Sequence, residues 1–394
     1  MLIGLLGKPS VGKSTFFKAA TLAEVEISAR PFTTLKATEG EAYVKVRCVE
    51  NDFKVKCNPR YGFCIDGNRF VPVRLMDVPG LVRDAHLGKG LGNQFLDELN
   101  QADALIHIVD CAGATNEKGE ICEPGTNDPV EDVRFLEREL DMWFLRILKK
   151  GWEKFARTVQ QEKLDVVKAL AKQLSGLKVK EIFVKQAIAG LRPDPTSWSE
   201  DDLLALASRL RKMTKPIVIA ANKIDLPVAD KNLARLGEAF PDTLIVHCAA
   251  DAELALREAA KKKLISYMPG DETFSLNGDL NEQQKKALEY IKNQILGVYG
   301  NTGVQEILNA AVFSLLKRIA VFPGGIHKLE DKDGRVLPDC FLLPENSTAL
   351  DFAFAVHSDL GNNFIRAIDV KTKKVVGKDH LLKNGDVVEI VAKR

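Results

Sequence analysis

Residues 2–14 read Leu2-Ile3-Gly4-Leu5-Leu6-Gly7-Lys8-Pro9-Ser10-Val11-Gly12-Lys13-Ser14. The first five are an apolar run of strand length, and the pattern from Thr15 to Ala23 is helical. A glycine loop between a strand and a helix points backbone N–H groups at an anion near the positive helix end. Lys13 can then reach the β- and γ-phosphates, and the Ser14 hydroxyl can bind Mg²⁺. This stretch predicts a phosphate-binding loop, with a chance glycine-rich turn as the alternative.

A second apolar run, Val71 to Met76, leads into Asp77-Val78-Pro79-Gly80. An aspartate at the tip of a strand beside the phosphate loop can hold the water shell of Mg²⁺, and the Gly80 N–H can approach the γ-phosphate. Between the two motifs we expect Thr34, with Thr33 as the alternative, to complete the Mg²⁺ shell. Threonine pairs are also common in loops for local hydrogen bonds. Lys13, Thr34 and Gly80 are the predicted catalytic residues.

A third motif, Asn222-Lys223-Ile224-Asp225, follows the apolar run Ile217–Ala221. Ligands of open α/β sheets bind at the carboxyl ends of strands. The Asp225 carboxylate can accept hydrogen bonds from N1–H and the 2-amino group of guanine, so adenine should be rejected by roughly 10⁴-fold. Asn222 is predicted to tie the base to the phosphate loop, and the Lys223 stem to lie along the purine.

A last loop, His247-Cys248-Ala249-Ala250, is expected to place the Ala249 N–H against guanine O6. We therefore predict an α/β P-loop fold with a mixed, mostly parallel sheet that binds GTP or GDP with Mg²⁺. The predicted metal ligands are Ser14, Thr34 and Asp77. The predicted nucleotide contacts are Gly7, Lys8, Pro9, Ser10, Val11, Gly12, Lys13, Ser14, Thr15, Asn222, Lys223, Asp225, Cys248, Ala249 and Ala250.

These motifs, together with residues 77–82 and Gly88-Lys89-Gly90-Leu91-Gly92-Asn93-Gln94-Phe95-Leu96, resemble the Obg superclass of translation-associated GTPases. The resemblance covers nearly the whole chain and is closest to the YchF-like and DRG-like members, in particular the archaeal YchF-related branch. It implies a GTPase acting on ribosomes. Relatives that use ATP carry an altered base-reading motif, so Asp225 favours GTP over ATP.

Two further departures from relatives bear on the mechanism. Ser10 stands where many relatives carry an asparagine that helps bind a monovalent cation, which puts potassium-stimulated hydrolysis in doubt. Leu81 follows the Asp77–Gly80 motif where Ras-like GTPases carry the glutamine that orients water. Slow intrinsic turnover with partner stimulation is therefore expected. His86 could assist, although a solvated loop histidine is the plainer interpretation.

Composition bounds these predictions. The 394 residues are 45% hydrophobic and 28% charged, with a net charge of +2. This size predicts two or three domains, and the charge does not indicate a general nucleic-acid binder, so no DNA partner is predicted. The absence of a leader pattern and of a long apolar run predicts a cytoplasmic protein without a membrane partner, in which the seven cysteines are expected to be thiols and not a disulfide framework.

The predicted domains are a nucleotide-binding domain over residues 1–112 and 214–316, a helical insertion over 113–213, and a C-terminal module over 317–394. The insertion should begin with a helix at Asp128-Pro129 and continue with a second amphipathic stretch from about Trp152 to Leu174. Its apolar stripes predict helix packing or a docking role. The apolar residues at helical spacing are Val130, Val133, Leu136, Leu140, Phe144 and Ile147.

From Ile319 onward, short strands around one helix predict a small α+β module. Residues 350–361 resemble the helix and turn of a TGS domain, a ubiquitin-like β-grasp module, and this resemblance implies contact with RNA or the ribosome. Several lysines could meet phosphates, or simply cover a solvated hairpin. They are Lys371, Lys373, Lys374, Lys378 and Lys383.

Three cysteines, Cys48, Cys57 and Cys64, lie between the predicted switch threonines and Asp77 in what should be an elaborated β-hairpin. Their spacing lacks the paired-cysteine signature of zinc sites and a fourth ligand, so buried or free thiols are the better interpretation.

Three functions are compatible with the sequence. The first is a GTP-hydrolysing switch on ribosomes, the second an ATP-consuming stress or metabolic regulator, and the third an RNA-binding adaptor with a structural nucleotide. Asp225 disfavours the second, and the intact Lys13, Ser14 and Asp77 disfavour the third.

Overall fold

The buried run Leu2–Leu6 forms β1, at the centre of a largely parallel sheet with the strand order β2-β4-β1-β5-β6-β7. β1 pairs in parallel with β4 and β5, β5 with β6, and β6 with β7, while β3 pairs antiparallel with β4. The remaining strands of this sheet are Thr38–Arg47 (β2), Phe63–Ile65 (β3), Asn68–Asp77 (β4), Ala104–Asp110 (β5), Ile217–Asn222 (β6) and Leu244–His247 (β7). The predicted mixed, mostly parallel sheet is confirmed.

The register of these strands positions the predicted site. Leu5 of β1 lies opposite Asp77 of β4, and Asp110 of β5 lies opposite Asn222 of β6. Because the strands are parallel, their polar last residues emerge at one edge of the sheet, next to the loop that follows β1.

The computed structural model describes residues 1–22, 38–80 and 98–393. It divides into two units, one formed by Met1–Gly40 and Arg74–Ile307 and the other by Glu41–Val73 and Leu308–Arg394. Thr33, Thr34, Leu81, His86 and the segment 88–96 lie outside the described residues.

Helices α1 to α14 connect the strands in the described ranges. They are α1 (Lys13–Thr21), α2 (Glu50–Phe53), α3 (Pro129–Lys149), α4 (Trp152–Gln161), α5 (Val166–Gln173), α6 (Glu181–Ala187), α7 (Glu200–Thr214), α8 (Ala229–Ala239), α9 (Ala250–Lys261), α10 (Glu282–Tyr290), α11 (Gly297–Tyr299), α12 (Val304–Asn309), α13 (Ala349–Val356) and α14 (Ser358–Asn362). Single π-helical segments, Ile291–Leu296 and Ala310–Leu315, continue α10 and α12. A short hairpin, Ile265–Tyr267 (β8) with Phe274–Leu276 (β9), completes the first unit.

The insertion between β5 and β6 is helical, as the sequence predicts. The Asp128 side chain accepts a hydrogen bond from the Val130 N–H and so caps α3, and the apolar face of α3 packs in a core shared with α7. The amphipathic stretch predicted from about Trp152 to Leu174 contains two helices, of which α4 is the first. The helix ends at Gln161, and a new one starts because the Asp165 carboxylate accepts hydrogen bonds from the Val167 and Lys168 N–H groups.

The second unit contains a five-stranded sheet with the order β11-β10-β14-β12-β13. Its strands are Arg318–Pro323 (β10), Phe341–Pro344 (β11), Phe364–Asp369 (β12), Lys374–Val376 (β13) and Asp386–Ala392 (β14). The fully buried Phe352 of α13 packs into the core of this sheet. The α+β character agrees with the sequence, although a second short helix, α14, follows the one predicted.

Residues 41–73 belong to this second unit. Cys48 and Val49 share a buried apolar cluster with Phe322 and Val387 of the C-terminal sheet. The Arg69 guanidinium, 1% exposed, donates hydrogen bonds to the carbonyl oxygens of Leu337 (3.1 Å) and Pro338 (2.8 Å). The second unit is therefore built from two separate stretches of chain.

Candidate nucleotide-binding site

The phosphate loop, residues 7–14, joins β1 to α1. Its glycine at position 12 has φ 98°, and a Cβ there would lie 2.3 Å from Asn222 Nδ2. Only glycine satisfies both conditions. The loop therefore lies directly against the residue that opens the third sequence motif.

The Lys13 ammonium lies over this loop. It donates hydrogen bonds to the carbonyl oxygens of Gly7 (3.1 Å) and Lys8 (2.9 Å). Burial lowers the pKa of Lys13 to about 8, and the nearby charge of Asp77 opposes this shift. A phosphate group that replaces these carbonyls as the acceptor would favour the charged form and raise the pKa again.

Ser14 and Asp77 meet, although they come from different motifs. The Ser14 hydroxyl donates a hydrogen bond of 2.9 Å to Asp77 Oδ2. Asp77 is fully buried, and burial raises the pKa of its carboxyl group against the opposing effects of Lys13 and Ser14. Its other oxygen, Oδ1, has no hydrogen-bond partner among the described residues. A buried carboxylate oxygen without a partner is costly unless a ligand or water binds it.

Gly80 lies against the phosphate loop. A Cβ at Gly80 would lie 2.8 Å from the backbone nitrogen of Pro9, so the chain passes the phosphate loop at a distance that any side chain would prevent. Thr34, the third predicted metal ligand, lies outside the described residues and stays a prediction.

Asn222 links three segments of the site. Its Nδ2 donates to the Val11 carbonyl (2.9 Å) in the phosphate loop, and its Oδ1 accepts from the Ala250 N–H (3.1 Å) in the last loop. The side chain is buried. Asn222 therefore joins the phosphate loop to the last loop, and its predicted tie to the base stays a prediction.

Lys223 lies next to this tie and has φ 61°. Its ammonium pairs with Asp110 Oδ2 at 2.8 Å and lies 3.3 Å from Thr115 Oγ1. Asp110 is fully buried, and Thr115 also donates a hydrogen bond to its Oδ2 atom. The ammonium end of Lys223 is thus held by β5, which orients the carbon stem that was predicted to lie along the purine.

Lys8 of the phosphate loop joins the same polar network. Its buried ammonium donates to the Thr115 carbonyl (2.6 Å) and pairs with Asp132 at 2.7 Å. Burial raises the pKa of Asp132, and the charge of Lys8 opposes that shift. No sequence motif marks Asp110, Thr115 or Asp132 as residues of the site. The available signal was the strand Ala104–Asp110, whose last residue is an acid at the binding edge of a parallel sheet.

The last loop makes one backbone contact that the sequence does not indicate. The Ala249 N–H, expected to face guanine O6, donates to the Thr302 carbonyl at 2.9 Å. Buried Thr302 supplies this acceptor from a distant part of the chain, and the contact of Ala249 with guanine O6 stays a prediction. The Cys248 carbonyl accepts from the Ile224 N–H (3.1 Å), so the last loop still lies beside the base-reading motif.

Comparison with known proteins identifies the family. A model described as 50S ribosome-binding GTPase matches residues 2–137, one described as the G4 motif-containing domain of Obg-like, YGR210-like GTPases matches residues 220–324, and a TGS domain model matches residues 328–392. An uncharacterized GTP-binding protein of Methanocaldococcus jannaschii is 49% identical over 392 residues, 99% of each chain. The chain belongs to the Obg-like, YchF-type family of GTP-binding proteins.

Two further likenesses span the whole of this YchF-type chain. A crystal structure of a GTP-binding protein from Pyrococcus horikoshii is 40% identical, covers 100% of both chains and superposes with a TM-score of 0.79. A Bacillus subtilis protein named ribosome-binding ATPase YchF is 25% identical over 98% of this chain and 97% of its own. Within the described residues, no helix combines the length and apolar character needed to cross a membrane.

The YchF-type chain also covers its base-reading loops with residues 290–303. The hydroxyl groups of Tyr290 and Tyr299 donate to the carbonyl oxygens of Asp225 (3.2 Å) and Ile224 (3.4 Å). The Tyr299 ring stacks on His247, with 5.1 Å between ring centroids. No short sequence motif marks this segment, so the sequence analysis did not assign it to the site.

Proposed function

We propose that this protein binds Mg·GTP, hydrolyses it to GDP and phosphate, and acts in the cytoplasm as a nucleotide-dependent switch on ribosomes. The observation that carries the proposal is the double hydrogen bond of Asn222 to Val11 and Ala250. It joins a phosphate loop to a guanine-reading motif at one edge of the sheet, as one nucleotide requires.

The phosphate end supports magnesium-dependent hydrolysis. The Ser14 hydroxyl and the unpartnered Oδ1 of buried Asp77 are hard oxygen donors of the kind that Mg²⁺ and its water shell prefer. We propose that these two residues and Thr34 hold the ion, which would neutralise charge on the β- and γ-phosphates. Lys13 holds the same phosphates, and the Gly80 N–H approaches the γ-phosphate.

Turnover should be slow without a partner. Leu81 follows the Asp77–Gly80 motif and offers no polar group to orient the attacking water. Hydrolysis then depends on backbone groups or on a bound partner, and stimulation by ribosomes is the expected result. The test is phosphate release with and without ribosomes, with Lys13→Met as the inactive control. Equal rates in both conditions would contradict the partner-stimulated mechanism.

Guanine selection rests on Asp225. Burial raises the pKa of Asp251, and the negative charge of Asp225 raises it further. Two acidic groups therefore lie near each other beside the base-reading loop. Such a site favours a base that offers donors, as guanine does through N1–H and its 2-amino group. Each charge-assisted hydrogen bond contributes about 1.5–3 kcal/mol.

ATP is the second candidate, because the Bacillus subtilis relative is named an ATPase and the Ala249 N–H, a donor suited to guanine O6, is bonded to Thr302. Calorimetry with GTP, ATP and xanthosine triphosphate separates the two. We expect wild type to prefer GTP, and Asp225→Asn to lose about a hundredfold in GTP affinity, at 1.4 kcal/mol per tenfold, while gaining affinity for xanthosine triphosphate. Asp251→Asn is the matched control. Unchanged GTP affinity in Asp225→Asn would refute the assignment.

The ribosomal role is supported by the family model described as ribosome-binding, by the TGS match and by the name of the Bacillus subtilis relative. Lys373, Lys374 and Lys378 are exposed and could contact RNA phosphates, whereas Lys371 pairs with Asp52 at 2.6 Å. Cosedimentation with ribosomal subunits should be stronger with a slowly hydrolysed GTP analogue than with GDP. Identical cosedimentation in the two states would exclude a switch.

A further inference from the structure

A cluster of four potential metal ligands lies in the second unit, apart from the nucleotide site. One ligand atom from each of Cys48, Glu50, Cys57 and Cys64 lies within 4.8 Å of every other. Cys48 and Glu50 are buried, and Cys57 is 9% exposed. The sequence prediction treated these cysteines as thiols because it lacked a fourth ligand, and Glu50, two residues after Cys48, is that ligand.

The distances fit a tetrahedral metal. With Zn–S bonds of about 2.3 Å, two thiolates of a tetrahedral site lie about 3.8 Å apart. Cys48 Sγ and Cys57 Sγ are 3.7 Å apart. A thiolate and a carboxylate oxygen on the same ion, with a Zn–O bond of about 2.1 Å, lie about 3.6 Å apart. Cys64 Sγ and Glu50 Oε1 are 3.4 Å apart.

The local backbone orients these ligands. The Cys57 N–H donates to Glu50 Oε2 at 2.8 Å, which leaves Oε1 directed at the thiols. The Cys48 N–H donates to the Gly67 carbonyl at 2.7 Å, so the two ends of the segment are held together. Second-sphere hydrogen bonds of this kind are what fix the ligands of structural metal sites.

A buried arginine is paired with one of the ligands across the β3–β4 ladder. Arg69 lies directly opposite Cys64 in the antiparallel pairing of β3 and β4. Residues opposite each other in an antiparallel ladder project from the same face, so the buried guanidinium lies on the side of the Cys64 thiol.

We propose that Cys48, Glu50, Cys57 and Cys64 bind one Zn²⁺ ion in a closed structural site. Four protein ligands leave no open position for substrate, and thiolate-rich tetrahedral sites select zinc over magnesium or calcium. The ion cross-links residues 48–64, a stretch with little regular structure.

The cross-linked stretch makes contacts that build the second unit. The Asn58 and Arg60 N–H groups donate to the carbonyl oxygens of Val336 and Pro338, each at 2.8 Å. The Arg60 guanidinium pairs with Asp331 at 2.8 Å. Bound zinc would therefore stabilise the segment 48–64 that contacts residues 331–338, and loss of the ion should weaken these contacts.

The test is elemental analysis of the full-length protein purified under reducing conditions without chelator. We expect one zinc per chain in the wild type, and a zinc affinity lowered by more than about tenfold in Cys57→Ser and Glu50→Gln, measured by competition with a chromophoric chelator, because loss of an outer-sphere partner alone lowers metal affinity by at least that factor. The matched control is Cys340→Ser. Cys340 is half-buried and packs against the apolar cluster that contains Cys48 and Cys57, but it is not one of the proposed ligands, so this variant should keep its zinc. Cobalt exchanged into the wild type should show the visible absorption of tetrahedral cobalt thiolate.

A second measurement separates metal loss from misfolding. GTP affinity reports on the first unit and should persist in all three variants. Chelation of the wild type should lower its thermal stability, and Zn²⁺ but not Mg²⁺ should restore it. The proposal is overturned if reduced wild type neither contains nor takes up zinc, if Cys340→Ser loses as much metal as Cys57→Ser, or if mass spectrometry finds a Cys48–Cys57 disulfide in place of the metal.

Discussion

Replacing Asn222 with alanine tests whether one side chain couples the two ends of the nucleotide site. The substitution removes the hydrogen bonds to the Val11 carbonyl and from the Ala250 N–H. Both backbone groups belong to loops that would contact nucleotide. In the free variant these loops can relax toward water, whereas nucleotide binding restores their order. The cost of the lost hydrogen bonds therefore falls largely on the binding step.

The magnitude follows from the two unpaired groups. Each buried donor or acceptor left without a partner costs about 1–3 kcal/mol. Water can enter part of the space that the side chain leaves, so we take the lower half of the range and expect a loss of about 3 kcal/mol for the pair. At 1.4 kcal/mol per factor of ten, this corresponds to a GTP affinity reduced by about 150-fold.

Isothermal calorimetry with GTP and Mg²⁺ measures the effect, and Asn232→Ala is the control. Asn232 is also buried, and its Nδ2 donates to the Cys111 carbonyl at 2.9 Å, away from the phosphate loop. We expect Asn232→Ala to lower the unfolding temperature and leave GTP affinity nearly unchanged. If the two variants bound GTP equally well, the coupling assigned to Asn222 would be refuted.

Three further outcomes are expected. GTP affinity should fall by about tenfold per pH unit above about 8, because burial lowers the pKa of Lys13 to that value and phosphates bind its charged form; calorimetry across this range checks it. Burial, then the charges of Lys13 and Lys8, lower the pKa of His107 from 6.5 to about 3. Below pH 6.5 His107 is protonated in the unfolded chain, whereas in the folded protein it stays neutral down to about pH 3. The free energy of unfolding should therefore fall by about 1.4 kcal/mol for each pH unit between these values. His107→Leu should lack this slope in urea unfolding, and equal slopes would contradict it. Ser14→Ala should weaken Mg²⁺-dependent GTP binding while sparing magnesium-free GDP binding, and an unchanged response to Mg²⁺ in titration would count against the proposed ligand.

The sequence predicted the central sheet because its strands are short, apolar and followed by polar motifs. Leu2–Leu6 and Ile217–Ala221 each end at residues whose chemistry needs a strand tip. Parallel register then brings Asp77 and Asn222 to one edge without further information. Motif residues of this kind are predictable because their spacing in the chain determines their geometry.

Contacts that depend on tertiary packing were not predictable in the same way. Lys8 pairs with Asp132, and Ala249 bonds to Thr302, across more than fifty residues without any local pattern. Glu50 was not predicted as a metal ligand because the usual sequence spacings of zinc sites involve cysteine and histidine and not a carboxylate. The division of the stretch from Trp152 to Leu174 into α4 and α5 depends on the Asp165 cap, which the spacing of apolar residues does not indicate.

The discontinuous second unit limits how this protein can be cut. Ending a recombinant chain at residue 307 would remove Phe322, Leu337 and Val387 but keep Cys48 and Val49, which pack against them. Such a fragment would present bare apolar side chains to solvent and should precipitate. A soluble nucleotide-binding fragment needs a second excision, with a short hairpin turn in place of residues 41–73.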